Sequence, residues 1–229
     1  MSLFEMNANV ERPPDDLVAE FIKLPTASLS DAMVNLHTMD SGIRMMVPGQ
    51  RLCGTAVTVA TRAGDFLAIL KGLQLAQKGD VLIIDNQSHS DTACWGEIVS
   101  TEAQVKGVHG IVVDGLVRDI EGIRSLGFPV FARGTTPRVT GRDNLGEVNV
   151  VVQCGGVAVT PGDIVVGDED GVVVVPARKA REVLHNARAI LRFEVEFIRK
   201  IKAGHSQVEL FALDQLIEDR LSDLAKKWA

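Results

Sequence analysis

Between Trp95 and Asp119 the chain reads WGEIVSTEAQVKGVHGIVVDGLVRD, and its last two residues set a guanidinium beside a carboxylate directly after an apolar run. Asp119 is a hard oxygen donor of the kind Mg²⁺ takes, one or two carboxylates with several waters retained. Arg118 offers a planar fork that can hold an anionic substrate oxygen. The same pair has a plainer use, with Asp119 capping the next helix and Arg118 in a surface ion pair. Upstream, Gly96-Glu97-Ile98 opens a helix, where exposed backbone N–H groups and the positive dipole end suit a carboxylate. Gly96 lets a ligand approach the backbone, while Glu97 can hold a metal-bound water or simply complement the dipole.

For these groups to converge, strands must end on a common side. GDVLIID at 79–85 and GIVVD at 110–114 are short apolar runs of the type buried on both faces of a parallel sheet. LCGTAVTVAT, from Leu52, alternates small and β-branched residues with period two and predicts a strand. Helices are predicted at 15–24, where Leu17, Val18, Phe21 and Leu24 share a face, and at 28–36, where Leu29, Met33 and Leu36 do. Further helices follow Asp65, span Trp95 to Lys106 before Gly107, and surround Ile120 to Leu126; FPVFARG at 128–134 continues the alternation. Ligands collect outside the carboxyl ends of strands in such α/β arrangements, where Arg118 and Asp119 fall.

The later chain changes character. VNVVVQCGGVAVTPGDIVVGDEDGVVVVP holds three β-rich runs separated by turn signals, which predicts hairpins beside the α/β layer. Its GDEDG stretch lacks EF-hand spacing and reads as a hairpin turn. Helices at 177–202 and 207–226 close the chain, and Leu210, Leu213, Ile217, Leu221 and Leu224 form a stripe suited to core packing or to a subunit contact.

At 229 residues and 46% hydrophobic composition the chain can bury a full core, and no linker divides it. The expected organisation is a flexible arm over 1–14, containing Pro13-Pro14, and a single domain over 15–229 that includes the C-terminal helices. A net charge of −6 argues against a nucleic-acid or anionic-membrane footprint. No apolar run reaches the ~18 residues of a membrane span, and no secretory signal opens the chain, so the expected location is cytoplasmic. Cys53, Cys94 and Cys154 show neither CxxC nor zinc-site spacing and are expected as buried free thiols. His89, in DNQSHSD, could face the same mouth as Arg118, and Asp65 either caps its helix or shapes that mouth.

Taken in order, GTAVTVATRAGD, GDVLIID, WGEI, DGLVRDIEGIRSLGFPVFARGTTPR and GDEDGVVVVP resemble the RraA-like family over roughly 26–180, and in particular its 4-hydroxy-4-methyl-2-oxoglutarate aldolase branch of class II pyruvate aldolases. The resemblance implies an α/β fold of the swivelling β/β/α type, assembled as homotrimers or homohexamers with sites between subunits. It implies a cofactor, Mg²⁺ or Mn²⁺, on Asp119, substrate contact by Arg118, and Glu97 holding the metal through water. Backbone at Gly96, Glu97, Ile98 and Val99 would bind the carboxylate of a small 2-oxo acid. One family form carries an acid three residues after the aspartate; here that residue is Gly122, with Glu121 beside it. A neighbouring subunit's C-terminal acid is also implied, for which Glu194 and Glu196 are candidates. The expected function is a metal-dependent lyase that cleaves a 4-hydroxy-2-oxo diacid to pyruvate and decarboxylates oxaloacetate. The alternative from another class is a non-catalytic protein that binds and regulates ribonuclease E.

Overall fold

The structure, a computed structural model, describes residues 5–228. Helices α1 (Asp15–Phe21) and α2 (Thr26–Ala32) precede the short strand β1 (Arg44–Met45) and then β2 (Leu52–Ala60), α3 (Leu67–Leu75) and β3 (Asp80–Trp95). Next come α4 (Glu97–Lys106), β4 (Gly110–Val117), α5 (Ile120–Leu126) and β5 (Val130–Thr135). Five strands follow: β6 (Glu147–Val148), β7 (Val152–Cys154), β8 (Val157–Val159), β9 (Ile164–Asp168) and β10 (Gly171–Val175). The chain finishes with α6 (Ala180–Lys202), α7 (Gln207–Leu210) and α8 (Leu213–Trp228). It forms two compact units, the first ending at Ala187 and the second beginning at Arg188.

The first unit is built on one sheet in the order β1-β5-β4-β3-β2-β9-β10, with β6 also paired to β2. Strands β2 to β5 run parallel, and the flanking pairs are antiparallel. Alternation along the parallel strands explains their apolar runs. Val57, Val59, Leu82, Ile84, Ile111 and Val113 point to one side and pack with Ile69, Leu73, Ala103 and Ile123 of the helices. Ala56, Val81, Ile83, Val112 and Phe131 point to the other side and meet Val152, Cys154, Val157 and Val159 of the separate β7–β8 hairpin. Helices, sheet and hairpin therefore make the β/β/α layering of the swivelling fold.

Polar groups appear where the apolar faces end. Asp114, directly after the apolar run of β4 and inside that strand, is buried and accepts hydrogen bonds from Arg133 Nε, Ser88 Oγ at 2.8 Å and Gly155 N at 2.7 Å. Arg133 also grips Asp40 through two bonds of 3.0 and 2.8 Å. Burial raises the Asp114 pKa, but Arg133, the Gly155 N–H and Ser88 together hold it below the usual carboxylate range. This network ties the hairpin turn to the sheet.

Several expectations need correction. The loop expected after Asp85 is a bulged continuation of β3, paired with β4 through His89↔Gly115, Ala93↔Leu116 and Trp95↔Val117. The helix expected from Trp95 accordingly begins at Glu97, because Trp95 is the last residue of that strand. Leu36 does not share a buried face with Leu29 and Met33; α2 ends at Ala32, Val34 and Asn35 turn left-handed, and Leu36 is exposed. The last helix is broken at Ala212, which has a positive φ, and most of the leucine stripe of α8 is exposed instead of packed into a core. The arm is held from Glu5 onward at two places. Asn7 N donates to Val148 O at 3.0 Å, and Arg12 clamps buried Asp80 through Nε and Nη2 at 3.0 and 2.8 Å.

Other expectations stand. The GDEDG stretch is a tight turn in which Asp168 pairs with Gly171 across β9 and β10. All three cysteines are buried and unpaired, and burial pushes the Cys53 and Cys94 thiols up to about 12. No helix among the described residues is long and apolar enough to cross a membrane.

The close approach of β2 to the start of β3 depends on Gly54, where a Cβ would stand 2.2 Å from the carbonyl oxygen of Gly79. Because that neighbour is backbone, Gly54→Ala is expected to destabilise the protein by about 1–3 kcal/mol. Urea unfolding followed by circular dichroism measures this, and an unchanged midpoint would show that the strands can part without cost.

Candidate active site

Arg118 and Asp119 follow β4 directly and lie outside the sheet's carboxyl ends, with Arg118 N bonded to Trp95 O at 2.9 Å. Asp119 occupies the N-cap position of α5 but makes no side-chain capping bond, so the capping role is not taken up. Its φ is +56°, a left-handed conformation that is uncommon outside glycine and is best tolerated by Asn and Asp. Both carboxylate oxygens are 3.2 Å from Arg118 Nε, and each side chain is a little over one third exposed.

Gly96 faces this pair across the gap between β3 and α4. A Cβ there would come within 2.6 Å of Asp119 Oδ2, so the missing side chain is what leaves that oxygen open. The helix start behind it is rigidly held. Trp95 Nε1 donates to Ser100 Oγ at 2.7 Å in the interior, and Ser100 Oγ donates to Gly96 O at 2.9 Å. Free N–H groups at the first turn of α4 thus have a fixed direction.

Gly96, Ile98, Val99, Arg118 and Asp119 line one cavity of about 280 Å³. Glu97 does not line it. Its carboxylate lies against α5, where a Cβ on Gly122 would stand 2.1 Å from Oε2. Gly122, in the position where one family form has an acid, is thus the space that the Glu97 carboxylate fills. His89 is also outside the cavity wall; its Nε2 is 3.0 Å from Thr92 Oγ1 and packs over Gly64. Of the C-terminal acids, Glu196 is bonded twice to Arg199 at 2.8 Å.

Three wall residues carry no motif in the sequence: Phe66, Thr140 and Arg142. Phe66 and Arg142 are positioned by Asp65, a buried carboxylate that joins the start of α3 to the 143–144 turn, while the N-cap position of α3 itself is Phe66. Oδ1 accepts from Phe66 N and Leu67 N at the start of α3, and Oδ2 accepts from Asp143 N, Asn144 N and Asn144 Nδ2. Gly141 N completes the attachment by donating to Gly64 O at 3.0 Å. The only local hint in the sequence is the Gly-Arg-Asp-Asn turn signal at 141–144.

Asp119 is a single, partly exposed carboxylate paired with Arg118, and no group of three His, Cys, Asp or Glu side chains among the described residues is gathered to hold a metal. That donor set fits a hard cation such as Mg²⁺, which accepts one or two carboxylates and fills its shell with water and substrate oxygen. It does not fit a structural zinc site.

A family model for RraA-like proteins, described as Aldolase/RraA, matches residues 26–174, which include every residue of this cavity. The chain belongs to the RraA-like family. A Halalkalibacterium halodurans relative, provisionally named a 4-hydroxy-4-methyl-2-oxoglutarate aldolase, is 39% identical over 173 residues, 76% of this chain and 82% of its own. Among solved structures, Streptomyces coelicolor RraAS2, described as an unusual member of the RNase ES inhibitor RraA family, superposes with a TM-score of 0.75 at 34% identity. That match covers 83% of this chain and 99% of RraAS2. A Pseudomonas syringae protein of unassigned function gives 0.75 at 31% identity, covering 86% of this chain and 96% of its own. The RraA-like fold is thus shared by proteins named for catalysis and for inhibition, and the site must decide between them.

Burial raises the Asp65 pKa, yet the N–H groups of Leu67, Asn144, Phe66 and Asp143 outweigh it and leave the carboxylate below its usual range. Its contribution to stability is therefore complete above the unfolded value of about 3.9 and is lost as pH falls through the lower folded value. Asp65→Asn is expected to cost about 1–3 kcal/mol at neutral pH and to flatten this acid limb. Thermal unfolding from pH 3 to 7 tests it, and an unaltered acid limb would remove Asp65 from the account.

Proposed function

We propose that the chain is a divalent-metal-dependent lyase that cleaves a 4-hydroxy-2-oxo diacid to pyruvate by a retro-aldol reaction and also decarboxylates oxaloacetate. The observation that carries this reading is the partly exposed Asp119 carboxylate beside Arg118: it sits in a left-handed turn, forgoes its cap, and is left clear by Gly96. Backbone strain of this kind persists at sites where it serves function. The Aldolase/RraA family match and the aldolase name of the Halalkalibacterium relative support the same choice.

Asp119 would hold the cation, Mg²⁺ or Mn²⁺, which when bound supplies Lewis-acid polarisation of the substrate's keto group. The N–H groups at the first turn of α4 receive the C1 carboxylate. Arg118 donates to the keto oxygen as charge grows there, an interaction worth most in the transition state. A water ordered by the Glu97 carboxylate accepts the proton of the C4 hydroxyl. The C3–C4 bond then breaks, its electron pair enters the pyruvate enolate, and C4 leaves as a carbonyl. Protonation of C3 completes pyruvate. Loss of CO₂ from oxaloacetate reaches the same enolate without the C4 deprotonation, so one set of groups serves both reactions. The exposed apolar stripe of α8 is the surface we assign to homo-oligomer contacts, as trimer or hexamer.

The second reading, a protein-binding regulator, is favoured by the likeness to RraAS2. Inhibition of a ribonuclease E digest by the purified protein, with no pyruvate released from any oxo acid, would select it.

Pyruvate release from 4-hydroxy-4-methyl-2-oxoglutarate, measured through coupled lactate dehydrogenase, is expected to require Mg²⁺ or Mn²⁺ and to stop with chelator. Asp119→Asn keeps a residue that tolerates the turn and should reduce turnover by roughly 100-fold or more with the fold intact. Chelator-insensitive turnover would end the metal reading. A separate outcome is expected for Gly122→Ala, which gains about 1 kcal/mol of helix propensity while displacing the Glu97 carboxylate from its space. Thermal stability should hold or rise as turnover falls by roughly tenfold or more, the scale on which supporting groups act. Full activity in this variant would show that Glu97 has no part.

A further inference from the structure

We infer that Arg142 is the specificity residue for the substrate's second, distal carboxylate, so that this cavity selects dicarboxylic over monocarboxylic 2-oxo acids. The inference rests on the oxo-acid reading of the site and extends it to the far wall.

The cavity carries two guanidinium groups with different circumstances. Arg118 is engaged with Asp119. Arg142 has no hydrogen bond or ion pair to any described residue and instead lies over the Phe66 ring, 5.6 Å from its centre. Stacking on an aromatic face orients a guanidinium without consuming its N–H donors, so the fork is held ready for an anion. The wall beside it has a second unmet polar group, since Thr140 Oγ1 is buried without a partner. Buried hydroxyls are nearly always bonded, and an exception in a cavity wall marks a place where polar ligand atoms are expected.

The rest of the lining, Ala93, Cys94, Trp95, Ile98, Val99 and Val139, offers a substrate only apolar side chains. The carboxylate and keto oxygen of any 2-oxo acid are already provided for by the α4 amides, Asp119 and Arg118. Arg142 stands at the exposed rim of this wall, where an unpaired cation suits a substrate that brings another negative charge. Arg142 is also fixed in place. Ala93 N donates to Arg138 O at 2.8 Å on one side of it, and Asp65 holds Asp143 N and Asn144 N on the other, so the segment is anchored before and after position 142.

Binding of two unreactive oxo acids, measured by calorimetry with Mg²⁺ present, tests this without relying on turnover. The probes are 2-oxoglutarate, with two carboxylates, and 2-oxobutyrate, with one. Wild-type protein is expected to prefer 2-oxoglutarate at least tenfold. Arg142→Met, which keeps a long apolar stem over Phe66, should lose most of that preference while its 2-oxobutyrate affinity stays within twofold. Arg142→Lys should restore the preference in part, since charge returns but the fork does not. A loss of both affinities by the same factor in Arg142→Met, or no change in either, would overturn the assignment of Arg142 and leave the oxo-acid site standing. Failure of wild-type protein to bind either probe would overturn the oxo-acid reading itself.

Discussion

Burial of the parallel strands on both faces is the constraint from which the rest of the first unit follows. Val81 and Ile83 are committed to the hairpin side while Leu82 and Ile84 are committed to the helix side, and the same division holds along β2, β4 and β5. Such strands have no solvated face on which to display chemistry. Charged side chains flank the doubly buried apolar runs 81–84, 110–113 and 130–132, and their networks gather there. Asp114 and Arg133 occupy this rim as a closed structural network. Arg118 and Asp119, one turn further along the chain, are left partly open.

The site is assembled from glycine absences as much as from side chains. Gly96 clears the space around Asp119, and Gly122 makes the space that Glu97 fills. Asp65 acts from beneath, joining the start of α3 to the 143–144 turn through one buried carboxylate and so placing Phe66 and Arg142 on the same wall. A single charge satisfied by backbone N–H groups is an effective strut because each bond it makes would be costly to leave unmade in the interior.

Legibility of these features in the sequence followed their range. GDVLIID and GIVVD announced buried strands because burial on both faces leaves an uninterrupted apolar signature, and the RD pair was conspicuous because it comes straight after one of them. The stretch from Asn86 to Thr92 was not legible as strand, since its side chains are polar and Gln87 and Ser88 adopt positive φ; it joins β3 as a bulged segment paired to β4 at His89↔Gly115. Arg142 was invisible for a related reason. Its segment has no periodicity, and it enters the site through contacts with Gly64 and Asp65, nearly eighty positions earlier. The exposure of the α8 stripe was equally beyond a periodicity argument, which finds an apolar face without revealing what lies against it.

The left-handed turn at position 119 has a consequence for how this residue can vary. Backbone sterics admit glycine, asparagine and aspartate there with least penalty, before any ligand is considered. Of those three only aspartate is an acid. A glutamate, though equal in charge, meets the steric filter first, and a glycine passes the steric filter only to arrive without an oxygen. Two unrelated requirements therefore intersect on one amino acid, and neutral drift at this position has almost nowhere to go.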